Sequence, residues 1–199
     1  STSNNYTWTG IFTPTPNVED PTNTITLANT WTDQVGNPGT SVTTSNYEVE
    51  TLRPSGSFSF NIAQGTSYNS TPSLKPGDNG SLTLVFSEPV ISFASNDDIT
   101  SPFLNLDNMT SSDNITWTGN FTPIDDSQDY SNVFTLGTNW TDIDGNQPST
   151  SLSSSTYIVD TSAPTITSVG LTDGVTTTNT YTDYCMPVNG NIVLTFKLL

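Results

Sequence analysis

The residues of this chain with chemical potential are carboxylates set among asparagines in tight turns. Asp142-Ile143-Asp144-Gly145-Asn146 carries two acids, an amide and a glycine within one turn. Glu50 stands at the end of a run of alternating residues, just ahead of Pro54, and Glu88 sits in Ser87-Glu88-Pro89-Val90. Carboxylates with few cations among them repel one another unless something neutralises them. Ca2+ suits such a set, being a hard cation that takes roughly six to eight oxygens from carboxylates, Asn amides and backbone carbonyls. The expected ligand set is Glu50, Glu88, Asp142 and Asp144, with Asn146 or a carbonyl adding oxygens. The alternative is geometric: Asp and Asn in such a turn accept hydrogen bonds from their own backbone and need no ion.

Catalysis has little to draw on. There is no His, so imidazole bases, Ser-His and Cys-His nucleophiles and His-metal sites are excluded. The single cysteine, Cys185, has no basic partner beside it and is expected to be an ordinary thiol. An acid pair for glycoside hydrolysis is conceivable among nineteen Asp and Glu, but the acids recur with an internal repeat, which points to turns rather than to one cleft. The expectation is a protein that is not an enzyme. With three Lys and Arg and a net charge of −16, the chain offers no basic patch for nucleic acid or for an anionic membrane surface. No stretch is long and apolar enough to span a bilayer, so no membrane insertion is expected. The scarcity of Lys, His and Cys suits an exported protein that folds without disulfides. Ser1 opens no signal-peptide pattern, so any targeting segment is expected outside these residues.

The elements that must position the acids emerge from the repeat. Thr7-Trp8-Thr9-Gly10 and Phe12-Thr13-Pro14 match Thr116-Trp117-Thr118-Gly119 and Phe121-Thr122-Pro123 at an offset of 109. Trp31, Asp33, Gly36 and Asn37 match Trp140, Asp142, Gly145 and Asn146 at the same offset. After a one-residue insertion, Tyr47, Val49, Glu50, Thr51 and Pro54 match Tyr157, Val159, Asp160, Thr161 and Pro164, and Leu82, Leu84 and Phe86 match Ile192, Leu194 and Phe196. The expected organisation is the C-terminal half of a repeat at 1–51, a whole repeat at 52–161, and the N-terminal half of a further one at 162–199.

Within 52–161, apolar residues alternate with polar ones in Phe58–Ile62, Leu82–Phe86, Ile115–Phe121 and Tyr157–Val159, with further strand signals at Val90–Phe93, Ile99–Leu106 (broken near Pro102) and Val133–Trp140. Period-two alternation places each apolar set on one face. About seven such strands in roughly 110 residues fit an all-β fold, a two-sheet antiparallel sandwich of immunoglobulin-like size. The two Trp of each unit fall on the apolar phase and are expected to fill the core. Following alternate strand directions brings the turn at 87–89, the turn at 142–146 and the incoming linker at 50–54 to one end of the sandwich. The loop Pro14–Asn23, with Glu19 and Asp20, is expected to lie at the facing end of the preceding unit.

Thr-Asp-x-x-Gly-Asn at Thr141–Asn146, the linker Tyr157-Ile158-Val159-Asp160-Thr161-Ser162-Ala163-Pro164, and Leu82-Thr83-Leu84-Val85-Phe86-Ser87-Glu88-Pro89-Val90 together resemble the bacterial Ig-like tandem repeats of large extracellular surface adhesins. The resemblance covers essentially the whole chain. It implies a non-catalytic, calcium-stiffened spacer at the cell surface, with neighbouring repeats of the same protein as partners. Departures from the pattern are Glu50 in place of Asp in the first linker, Gln34-Val35 in place of Ile143-Asp144, and Lys197-Leu198-Leu199 where Ser-Glu-Pro is expected. An alternative role is a filament or surface-layer subunit, assembled head to tail when the strands of 162–199 complete those of 1–51 in the next molecule. A lectin-like module would instead require a distinct cleft with exposed aromatics.

Overall fold

A computed structural model describes residues 7–172 and 193–198. In chain order the first strands are β1 (Glu19–Asn23), β2 (Thr26–Leu27), β3 (Val42–Thr43) and β4 (Tyr47–Glu50). The central segment follows with β5 (Gly56–Ile62), β6 (Ser67–Tyr68), β7 (Thr71–Leu74), β8 (Gly80–Phe86), a single helical turn α1 (Ser95–Asp98), β9 (Ile99–Thr100), β10 (Leu104–Leu106), β11 (Thr116–Pro123), β12 (Gln128–Asn132), β13 (Thr135–Leu136), β14 (Leu152–Ser153) and β15 (Tyr157–Asp160). Beyond it β16 (Ile166–Thr172) pairs antiparallel with β17 (Val193–Leu198). The fold is all-β and Ig-like. Cys185 and most of the segment 162–199 lie outside the described residues.

One sheet of the central sandwich runs β10-β11-β8-β5 and the other β12-β15-β7-β6, with the short β14-β13-β9 sheet alongside. Register explains the inner face. Phe58 pairs with Leu84 and Leu84 with Trp117; Phe60 pairs with Leu82 and Leu82 with Gly119. From the other sheet Tyr157 and Val159 face them, and Phe134, Leu136 and Trp140 fill the space between. Phe134 lies 5.0 Å from Tyr157, 5.4 Å from Phe121 and 5.6 Å from Phe60, ring centre to ring centre. Trp140 packs 4.5 Å from Phe86 and gives its indole N–H to the Gly137 carbonyl at 2.8 Å. Aromatic rings of this kind bury a large apolar area each, and they share the core with aliphatic residues such as Leu82, Leu84 and Leu136. Gly80 is required by close approach: a Cβ there would stand 2.3 Å from the Phe121 ring and 2.6 Å from the Asn61 carbonyl.

Segment 7–51 repeats the edge of this sandwich. Glu19 pairs with Glu50, Asp20 with Val49 and Asn23 with Tyr47, interrupted by a bulge; Gln128, Asp129 and Asn132 pair with Asp160, Val159 and Tyr157 with the same interruption. The acidic loop expected at 14–23 is therefore in part a strand. Both copies anchor the linker with a threonine. Thr161 Oγ1 donates to the Ile124 carbonyl and accepts from the Ser127 N–H, and Thr51 does the same with Thr15 and Val18. The tryptophans depart from expectation in this copy. Trp140 is buried and Trp117 packs against the core cluster, but Trp8 and Trp31 are exposed, because among the described residues no strands like β5 and β8 cover their face. Val90–Phe93 does not form the expected strand either; Val90 only bridges to Asp142.

Candidate functional site

The turn at Asp142 is built by its own side chain. Oδ1 accepts the backbone N–H of Asp144 at 2.9 Å and of Asn146 at 2.8 Å, and Oδ2 accepts the Asn146 amide at 3.0 Å. Gly145 takes φ +92°, a left-handed conformation that glycine adopts without penalty. The Thr141 N–H donates to Ser92 Oγ, and the Ile91 N–H to the Thr141 carbonyl, which locks the turn to the segment after Glu88. Asp142 is fully buried.

The earlier turn is the same object. Asp33 Oδ1 accepts from Val35 N at 3.0 Å and Asn37 N at 2.8 Å, its Oδ2 accepts the Asn37 amide at 2.7 Å, and Gly36 has φ +93°. These bonds, the Asn37 side chain first, hold the Asp33 carboxyl below its ordinary range. Hydrogen bonding to the charged form accounts for that shift. The turn by itself therefore needs no ion. It leaves unexplained why two further acids reach the Asp142 copy.

Glu50 comes from the last residue of β4 and Glu88 from the turn after β8. One carboxylate oxygen from each of Glu50, Glu88 and Asp142 lies within 4.8 Å of the other two. Ligand oxygens on opposite sides of a Ca2+ are about 5 Å apart, twice a bond of 2.3–2.6 Å, so these separations suit one shared cation. Asn146 also gives its amide to Glu50, bridging it to Asp142. Arg53, the nearby cation, is turned to the Gln147 carbonyl at 2.8 Å. Burial, then the charges of Asp142, Glu50, Glu19 and Asp144, raise the Glu88 carboxyl above its usual range. Desolvation is the larger cause of that shift, and repulsion from the neighbouring carboxylates adds to it.

Of the five residues named from sequence, the structure brings together Glu50, Glu88 and Asp142, with Asn146 as a bridge. Asp144 contributes its backbone N–H, while its side chain is exposed and outside the three-oxygen group. Glu19, cross-strand from Glu50, joins the field on Glu88 and was not among the five. Its position in a run flagged as acidic, one residue short of Asp20, was the available signal.

A family model described as bacterial Ig-like domain matches residues 1–49 and 64–159. The chain belongs to the bacterial Ig-like domain family. No curated protein and no solved structure matches it. Bacterial Ig-like domains are generally non-catalytic. Among the described residues of this Ig-like chain no helix is long and apolar enough to cross a membrane.

Proposed function

We propose that this Ig-like chain is a non-catalytic spacer of an extracellular, cell-surface adhesin, stiffened by Ca2+ where one unit meets the next. One observation carries the reading: Glu50, at the end of one unit's last strand, meets Glu88 and Asp142 of the following unit within 4.8 Å. A cation held there ties the linker to the body of the sandwich. Glu50, Glu88 and Asp142 supply carboxylate oxygens, and turning the Asn146 amide about its own axis presents its oxygen in place of its nitrogen. Asp144 and Glu19 add charge around the site. At Asp33 the second acid is missing, and no Glu88 counterpart exists in 7–51, so any ion there is held more weakly.

The test is calorimetric Ca2+ titration of the whole chain, with X-ray scattering in parallel. The expected dissociation constant is in the range of extracellular modules, about 10⁻⁴–10⁻³ M. Calcium should lengthen the largest dimension and narrow its distribution, and Asp142→Asn should abolish both effects while Asp33→Asn leaves them. Absence of saturable binding up to about ten times that range overturns the reading.

A second reading, head-to-tail assembly into a filament or surface layer, rests on the exposed face of 7–51. Phe12, Leu27 and Trp31 are 60%, 57% and 46% exposed, whereas their counterparts Phe121, Leu136 and Trp140 are buried beneath strands of the facing sheet. A strand pair such as β16–β17 of a second copy is the complement that this face fits. Mass in solution decides: concentration-dependent linear polymers support assembly, and a monomer at all concentrations refutes it.

A further inference from the structure

Tyr68 and Tyr130 come from the two edge strands of one sheet, β6 and β12, with β7 and β15 between them. Strand spacing puts those edges about 14 Å apart. The two rings nevertheless meet over the outer face of the sheet, with centres 6.1 Å apart and planes tilted by 53°. They flank a cleft of about 380 Å³ whose lining includes Leu74, Ile158, Lys75 and Asp160. Ile158 is a buried residue of β15 that lies outside the core cluster. Both tyrosines remain more than half exposed, at 58% and 52%. Gln128 gives its amide to Tyr130 Oη at 2.9 Å and to Asp160 Oδ2 at 3.3 Å, so the polar rim is held in place.

The fold does not require this arrangement. At the position of Tyr130 the earlier copy has Pro21, in the same bulged pairing between β1 and β4. A tyrosine is therefore not needed to build the strand, and among the described residues the first copy lacks the aromatic notch.

We propose that the Tyr68–Tyr130 cleft binds a neutral oligosaccharide. A sugar ring presents a C–H face that stacks on a tyrosine ring and a rim of hydroxyls that donate to acceptors. Asp160 and Gln128 stand at the edge of the stacking surface and offer acceptor oxygens. Charge selects against anions, which meet Asp160 and a chain of net charge −16, and the ammonium of Lys75 in the lining is already paired with Asp78 at 2.5 Å. A proline-rich peptide would also stack between tyrosines, but proline has no N–H to give to Asp160. The cleft volume falls within the range of small-ligand sites. The proposal is independent of the stalk and calcium reading.

The experiment is saturation-transfer NMR and calorimetry on the whole chain with the hexasaccharides of β-1,4-glucose, β-1,4-N-acetylglucosamine and α-1,4-glucose. A proline decapeptide and oligogalacturonate are the competing classes. At least one neutral hexasaccharide should bind saturably, with contacts to its C–H protons. Tyr68→Ala and Tyr130→Ala should each weaken it by about tenfold or more, Tyr130→Phe should retain stacking, and Thr118→Ala on the opposite sheet should change nothing. Because both tyrosines are exposed, the alanine variants should keep the parent's unfolding midpoint, which separates lost binding from lost fold. The proposal is overturned if no neutral hexasaccharide saturates at about 10 mM, far weaker than a millimolar site. It is equally overturned if only the peptide or the acidic sugar binds, or if binding survives both alanine substitutions together.

Discussion

Replacing Glu88 by Gln should stabilise the chain in chelator and lose that advantage in calcium. Two unit charges 4.8 Å apart, the limit within which the oxygens of Glu50, Glu88 and Asp142 lie, repel by about 1 kcal/mol in a water-like medium and about 3.5 kcal/mol at an effective dielectric near 20. Glu88 is only partly buried, so the lower figure is the better guide. Two of the three pairs involve Glu88, and removing both is worth about 2 kcal/mol. For a chain of this size that raises the melting temperature by about 4–8 °C in EDTA. In calcium at about a hundredfold excess over its dissociation constant, the parent gains about 2.7 kcal/mol. A variant lacking one of three carboxylates, and binding about a hundredfold more weakly, gains about 0.4 kcal/mol. The two chains should then melt within about 1–2 °C of each other. Acidity gives the same contrast. Because the Glu88 carboxyl is raised above its ordinary range, the folded chelated chain binds this proton more tightly than the unfolded one. Its contribution is most favourable below the ordinary glutamate pKa and is lost as pH rises through the raised value. The Gln variant lacks that slope, so the gap between the two chains widens with pH and closes on acidification. Thermal unfolding followed by circular dichroism in both buffers is sufficient. An advantage kept in full in calcium refutes the shared cation, and no advantage in EDTA refutes the crowding.

Trp140→Ala should cost about 3–5 kcal/mol in urea unfolding, since the ring is fully buried against Phe86, whereas Trp31→Ala at the exposed counterpart should cost less than about 1 kcal/mol. Gly80→Ala should cost about 1–3 kcal/mol by the same measurement, because the Asn61 carbonyl 2.6 Å from the new Cβ is backbone and cannot swing aside. Thr161→Val should cost about 1–3 kcal/mol, because it leaves the Ser127 N–H, now satisfied at 2.8 Å, without its acceptor. Hydrogen exchange at Ser127 should accelerate in that variant and not in Thr51→Val, which strips the equivalent bond from the first copy alone.

The strands carrying the core were readable because their apolar residues alternate cleanly: Phe58–Ile62, Leu82–Phe86 and Tyr157–Val159 all lie where the pattern puts them. The meeting of Glu50, Glu88 and Asp142 follows from the same alternation, since the antiparallel pairings β5–β8 and β8–β11 reverse direction and bring alternate turns to one end. What alternation does not encode was missed. The β6–β7 hairpin turns through Asn69 and Ser70, both left-handed with φ of 49° and 67°, without the Asn-Gly pair that marks such turns in sequence. β12 is polar along its length and so reads as loop, although its backbone pairs with β15. Asp144 stands apart from the three-oxygen group because of local geometry. A residue two places after an Asp that builds such a turn gives up its N–H inward, and here its side chain is left exposed. The aromatic notch was invisible because Tyr68 and Tyr130 meet across two intervening strands.

The parallel pairing of β15 with β7, Ser73 to Ile158 and Leu74 to Val159, bears on how the central unit responds to being pulled. Its entry beside Phe86 and its exit beside Gln128 lie at opposite ends of the sandwich. Tension carried through Thr161 therefore acts along the axis of β15, across hydrogen bonds to β7 and β12 that must rupture together in shear. They cannot be unzipped one at a time. Resistance to extension would then depend on a short run of backbone bonds near Leu74, far from the acidic end, so force and calcium would act on different parts of the same unit.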